Sequence, residues 1–164
     1  MARATLGKLR EEFTRGFWIQ ARRSHVPNLR RAPHFELLDA DRGSMRLSDF
    51  LGLPCLFVFT SPHCGPCTSL YGVLPKLAEL SKVRVVLFSR GANSTNRRLK
   101  LDYGLDSLPV LSSRREVEGG YGVRVTPHAC LISADGFIVE GGPANDCILA
   151  EMAERASHPL IVAT

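Results

Sequence analysis

The sequence predicts an α/β fold: a central mixed β-sheet flanked by helices, with an N-terminal β-hairpin and an extra basic helix at the N-terminus. Three observations predict it. Pro54–Thr60 and Val83–Ser89 are continuous apolar runs, as strands buried on both faces require. Segments of helical period follow each of them. Near the C-terminus, Ala134-Asp135-Gly136 is tight-turn chemistry between two further strand-like runs, closing the sheet with an antiparallel hairpin.

The elements follow in order. Residues 5–21 place Leu6, Leu9, Phe13 and Phe17 at helical spacing, with Arg10, Glu11, Arg15 and Arg22 on other faces. That stripe must cover something: the domain itself, a partner protein or a membrane surface. Ser24–Pro33 is a linker broken by Pro27, Asn28 and Pro33. Two domains in the chain follow from this, an arm with its linker over 1–31 and a folded domain over 32–164.

In the second part, His34–Asp39 is a strand, Ala40–Gly43 a turn, Ser44–Leu47 a returning strand and Ser48–Leu51 one helical turn. After the Pro54–Thr60 strand a helix runs from about Cys64 to Leu80, kinked by Pro75. Residues 93–103 are helical, 108–111 extended, and 114–121 helical up to Gly119 or Gly120. Pro127–Ile132 and Phe137–Glu140 are the closing hairpin, and Asn145 caps a last helix to about Ala156.

The chain of 164 residues carries a formal charge of +5. The excess is local: residues 1–31 hold eight basic residues against Glu11 and Glu12, while the rest is nearly balanced. A uniformly basic nucleic-acid binder would not look like this, and the arm carries no recognisable nucleic-acid-binding module, so no nucleic acid is expected as a partner. No run approaches a membrane span, and no apolar segment follows the early arginines as in a signal peptide. A cytoplasmic location is expected, the alternative being a periplasmic domain separated from its anchor.

Five cysteines are an odd number, and only Cys64 and Cys67 form a spaced pair. Cys55, Cys130 and Cys147 lie in apolar stretches and read as buried thiols. A C-x-x-C pair either binds zinc or exchanges disulfides. Zinc wants four ligands and no second pair exists, so neither a metal nor a cofactor is expected. The pair opens a helix directly after a buried strand, where unpaired N–H groups and the helix dipole favour an anion. Cys64 is therefore the expected nucleophile, with a pKa in the range of about 3.5–7.5 known for such sites. Cys67, one turn on, resolves the mixed disulfide. Gly65 lets a substrate backbone approach, and Pro66 costs nothing in the first helical turn. Thr126-Pro127 precedes a strand, a place proline avoids unless that edge stays open or the bond is cis. A cis Pro127 exposes the Thr126 backbone for an added substrate strand. His63 and His128 flank these two motifs as candidate substrate contacts.

These residues resemble the thioredoxin-like superfamily: Cys64-Gly65-Pro66-Cys67 after a buried strand, then Thr126-Pro127 ahead of the Asp135-Gly136 hairpin. Within it the chain looks like the TlpA-type branch, including the accessory (MauD-like) proteins of methylamine dehydrogenase maturation. Arg31-Ala32-Pro33-His34-Phe35 with Leu37 and Asp39, Phe59–Cys64, Gly119–Val123 and Leu131–Gly136 carry that likeness, which covers residues 32–157. It implies a thioredoxin fold, a cis Pro127 facing the cysteines, and disulfide exchange with a protein substrate and a redox partner protein. A reductant is expected in the cytoplasm.

Three departures stand out. Val58 occupies the position, six residues before Cys64, where simple thioredoxins carry a buried acid. His63 stands where tryptophan is common. The branch usually carries an anchor or an export signal. Two alternatives remain. One is a peroxiredoxin-like thiol peroxidase, for which Ser61 fits but Phe57 stands where a proline is wanted. The other is a redox-switched protein-binding module docking through the arm.

Overall fold

The computed structural model describes residues 29–157, so the expected helix over 5–21 lies outside the described residues. Two strands at its centre are the two apolar runs, Cys55–Thr60 and Arg84–Ser89, lying parallel in register from Cys55 opposite Arg84 to Thr60 opposite Ser89. In chain order the strands are β1 (Arg30–Arg31), β2 (Glu36–Asp39), β3 (Gly43–Arg46), β4 (Cys55–Thr60), β5 (Arg84–Ser89), β6 (Val110–Ser112), β7 (His128–Ile132) and β8 (Phe137–Pro143). The α-helices are α1 (Gly65–Tyr71), α2 (Leu74–Leu80), α3 (Asn93–Tyr103), α4 (Arg115–Gly120) and α5 (Asp146–Ser157), and a 3-10 turn covers Leu47–Phe50. They form one eight-stranded sheet in the order β1-β8-β7-β4-β5-β6-β2-β3. β4, β5 and β6 are parallel and the remaining pairs antiparallel, the mixed sheet expected.

Strand alternation divides the core in two. Leu56 and Val58 point to the face covered by α1, α2, α3 and α5, among Cys67, Leu70, Leu74, Leu149 and Met152. Cys55, Phe57 and Phe59 point to the other face, an aromatic layer with Phe35, Phe50, Phe88 and Tyr121. Phe59 stacks on Phe88 at 4.5 Å between centroids, and Phe35 meets Phe88 edge-on at 5.3 Å. Such pairs add to the area they bury.

Polar clamps tie the pieces together. The buried Asp39 carboxylate accepts from the backbone N–H of Asp41 (2.9 Å), Arg42 (2.9 Å) and Val110 (2.8 Å). It thereby fastens the β2–β3 turn to β6. Gly43 at φ 82° and Gly136 at φ 88° turn their hairpins in the left-handed region that only glycine enters freely. Asn145 caps α5, its Oδ1 accepting from Ile148 N–H at 2.9 Å, as expected.

The structure corrects four details. The helix expected over 64–80 is two helices, because the Pro75 ring cannot sit against the carbonyl four residues back and the chain breaks at Gly72-Val73. Arg30–Arg31, read as linker, pairs with Ile138 and Phe137 as an edge strand. β8 continues to Pro143 rather than ending at Glu140. Cys147 is exposed, not buried, because α5 turns Leu149, Met152 and Ala153 inward instead.

Candidate active site

All six residues of β4 are buried, and the chain emerges at Ser61-Pro62-His63. Cys64 N–H donates to Ser61 O at 3.1 Å and Cys67 N–H to Cys64 O at 3.2 Å, so a tight turn runs straight into α1. Cys64 is the N-cap of that helix, with Gly65 and Pro66 in its first turn. Pro66 brings no N–H to a place where none would be paired. Cys64 and Cys67 are joined as a disulfide with their Cα atoms 5.3 Å apart. Their environments differ: Cys64 is half-buried, while Cys67 is fully buried in the layer that holds Val58 and Leu70. Attack from outside therefore reaches Cys64 and not Cys67. A side chain at Gly65 would meet only open space, so the surface over the disulfide is clear for a partner's backbone.

The second wall comes from 62 residues further on. The Thr126–Pro127 peptide is cis, and Thr126 O lies 3.5 Å from Cys64 Sγ. Pro127 O accepts from Ala144 N–H at 3.0 Å, which fixes the loop to the end of β8. Val125 is exposed beside it. His63 and Pro66 are exposed on the α1 side of the same opening. A groove of about 430 Å³ opens next to Pro62, between Thr68 and Tyr71 of α1 and Arg98 and Tyr103 of α3.

The structure thus brings together Cys64, Cys67, Thr126, Pro127, His63, Gly65 and Pro66. It does not bring His128 to them. His128 is 6 % exposed and alternates onto the opposite face of the sheet, against Phe59 at 6.3 Å between ring centroids. Burial there pulls its pKa below the ordinary histidine value. Its expected role as a substrate contact is corrected by that strand parity. Among the other cysteines, burial pushes Cys55 up to about 11 and Cys130 up to about 12. Neither forms a thiolate near neutral pH.

Two features escaped the sequence reading. Glu118 is a buried carboxylate that accepts from Arg90 Nε at 2.7 Å and pairs with Arg90 Nη2 at 2.7 Å, joining α4 to the end of β5. Nothing local in the sequence marks that pair. Tyr71, one turn beyond Cys67, is buried against Tyr103 at 4.9 Å, and burial raises its pKa. Its spacing from Cys67 was the available signal. No group of three or more histidine, cysteine or acidic side chains is arranged for a metal among the described residues.

Known proteins share this fold. A thioredoxin domain of a thiol-disulfide oxidoreductase from Bacteroides vulgatus superposes with a TM-score of 0.69 at 19% identity, covering 79% of this chain and 96% of that one. A secreted Mycobacterium tuberculosis disulfide oxidoreductase homologous to E. coli DsbE gives 0.61 at 18%, covering 74% and 95%. In sequence, the methylamine utilization protein MauD of Paracoccus versutus is 28% identical over 114 residues, 70% of this chain and 57% of that protein. That of Methylorubrum extorquens is 28% identical over 116 residues, 70% and 56%. The chain therefore matches little more than half the length of these curated relatives. Residues 29–140 match the model of the AhpC/TSA family. The chain belongs to the AhpC/TSA family, with a thioredoxin-like fold and its curated relatives on the MauD-like branch.

Proposed function

We propose that the protein is a thiol-disulfide oxidoreductase that reduces disulfides of protein substrates through Cys64 and Cys67. The observation that carries this reading is the asymmetry of the pair: one reachable sulfur at a helix N-cap, one sealed sulfur a turn behind it, and the Thr126 carbonyl across from the first. In the reduced protein, the Cys64 thiolate attacks a substrate sulfur. A mixed disulfide forms and one substrate thiolate leaves, taking a proton from solvent. Cys67 then loses its proton and attacks Cys64 Sγ. The Cys64–Cys67 bond forms and the second substrate thiolate departs. Two electrons have passed to the substrate, and a dithiol redox partner returns them.

The surroundings of the sulfurs support the reducing direction. A strongly oxidising pair needs its reduced form stabilised. The Thr126 carbonyl oxygen 3.5 Å from Cys64 Sγ and the apolar surroundings of Cys67 offer no stabilising partner to a thiolate, which supports the reducing reading against the pull of the helix N-terminus on Cys64. The secreted neighbour in fold supports the second of the two expected locations, outside the cytoplasm. No helix among the described residues is long and apolar enough to cross a membrane. The peroxidase reading is disfavoured by Phe57, a buried strand residue where a proline is wanted, and by a resolving thiol only one turn away.

Equilibration with glutathione buffers and mass spectrometry of the trapped thiols tests the proposal. A potential near about −270 mV is expected. A value near about −120 mV would overturn the reductant assignment. Failure to form the disulfide at any poise, or peroxide consumption that outpaces disulfide reduction, would overturn the function itself.

A further inference from the structure

We infer that the protein substrate carries carboxylates around its disulfide, which dock on a rim of unpaired arginines beside Cys64. The inference rests on the oxidoreductase reading and names its substrate class.

The C-terminal ends of β4, β5, β6 and β8 and the start of β7 share one edge of the sheet, since β4, β5 and β6 run parallel and β7 antiparallel between β4 and β8. The loops on this edge are 61–64, 90–92, 113–114, 121–127 and 144–145. They hold Arg90, Arg114 and Arg124, with His63; the carboxylates next to them are Glu116 and the Arg90-paired Glu118 in α4 and Asp146 at the start of α5. At the opposite edge the loops 51–54, 81–83, 104–109 and 133–136 hold Lys82 against Asp106 and Asp135. The domain is nearly neutral as a whole, so the polarity between its two edges is a matter of placement.

The state of each arginine sharpens the point. Arg90 is committed to buried Glu118. Arg42, Arg46, Arg98 and Arg155 are in ion pairs. Arg30, Arg84 and Arg97 donate to backbone carbonyls, and Arg31 lies over the Phe137 ring. The described arginines left over are Arg114, Arg115 and Arg124, which have no ion-pair partner among the described residues and are all exposed. Two of them lie in loops of the Cys64 edge and Arg115 opens α4 beside it. Arg124 is two residues before Thr126, whose carbonyl touches Cys64 Sγ. Every other arginine answers a structural need; these three are exposed, Arg124 two residues from the carbonyl that touches Cys64 Sγ, and Arg114 and Arg115 at the end of β6, two strands from β4. Cations so placed raise the encounter rate of an anionic partner and repel a cationic one.

The test uses two synthetic cystine peptides that differ only in having aspartates or lysines beside the half-cystines, with uncharged hydroxyethyl disulfide as reference. Rates of reduction by the reduced protein are measured at low and high salt. The acidic peptide is expected to react about tenfold faster than the basic one at low salt, with the ratio collapsing toward one at high salt. Arg124→Glu, and independently Arg114→Glu, should each shrink that ratio, whereas Lys82→Glu at the far edge should leave it intact. Circular dichroism checks that each variant is folded. Equal rates for the two peptides, or a faster basic peptide, would overturn the inference while leaving disulfide reduction standing. If hydroxyethyl disulfide and both peptides go unreduced, the oxidoreductase reading fails and takes the inference with it.

Discussion

Removing the Asp39 carboxylate should cost the domain a large part of its stability without touching the disulfide. Asp39 is 2 % exposed and holds three backbone N–H groups at 2.8–2.9 Å. A hydrogen bond to a charged group contributes about 1.5–3 kcal/mol, but three on one carboxylate do not add. In Asp39→Ala the N–H groups of Asp41 and Arg42 sit at an open turn where water reaches them. Val110 N–H is buried and stays unpaired, which alone costs about 1–3 kcal/mol. The expected loss is roughly 3–4 kcal/mol. At about 2.1 cal/mol/K per residue over the folded domain, that lowers Tm by roughly 10–15 °C. Asp39→Asn keeps one acceptor oxygen for the turn but aims its amide N–H toward Val110 N–H, so about half the loss is expected. Urea unfolding followed by far-UV circular dichroism measures both, with the disulfide held oxidised. β6 stands two strands from β4, so the rate of hydroxyethyl disulfide reduction should stay near wild type. A loss below about 1 kcal/mol for Asp39→Ala would refute the view that this carboxylate clamps the β2–β3 turn to β6.

Three further outcomes are expected. Cys67→Ser should accumulate a mixed disulfide on Cys64 with a cystine peptide, seen by mass spectrometry, whereas Cys64→Ser should capture nothing because Cys67 is sealed. Native oxidised protein treated with iodoacetamide at pH 8 should gain one label, on exposed Cys147; a second label before unfolding would contradict the burial of Cys55 and Cys130. With a pKa of about 12, Cys130 is thiolate in only about one molecule in 10,000 at that pH. His128 has a folded pKa below its unfolded value of about 6.5, so in acid the unfolded chain binds the extra proton. Stability from this site is then complete above that value and falls as the pH drops through it toward the folded pKa. Urea midpoints between pH 7.5 and 5 should show the slope, and His128→Phe should flatten it.

What could be read in the sequence was whatever local chemistry dictates. Cys64-Gly65-Pro66-Cys67 lies at a strand-to-helix junction, and both the apolar run before it and the helix after it are encoded within a few residues. Thr126-Pro127 was legible for the same reason: a proline at a strand start has few uses. Asn145 was recognised as a cap because capping spans three residues. The misread positions depend on partners far away in the chain. Arg30–Arg31 has no strand periodicity and becomes a strand only because Ile138 and Phe137 offer a free edge. Lys100 is 2 % exposed and tolerated because Asp41 Oδ2 lies 2.6 Å from its Nζ, a pairing between α3 and the β2–β3 turn that no helical pattern announces. His128 shares a strand face with Cys130 and Ile132, but which face the α1 helix would cover was not written in the strand itself.

The distance in sequence between the two walls of the site bears on when the protein becomes reactive. Cys64 meets Thr126 only after β7 has paired with β4, and that pairing joins residues separated by most of the domain. Contacts of such range are late and slow to form. A nascent chain emerging N-terminal end first therefore carries Cys64 and Cys67 as two ordinary thiols until the strand beyond Pro127 is made and docked. The carbonyl across from the sulfur arrives with that pairing, and with it Ala129 of β7 joins the layer that buries Cys67. Until then the pair lacks its second wall, and a partner met by an unfinished copy finds two ordinary thiols rather than the assembled site.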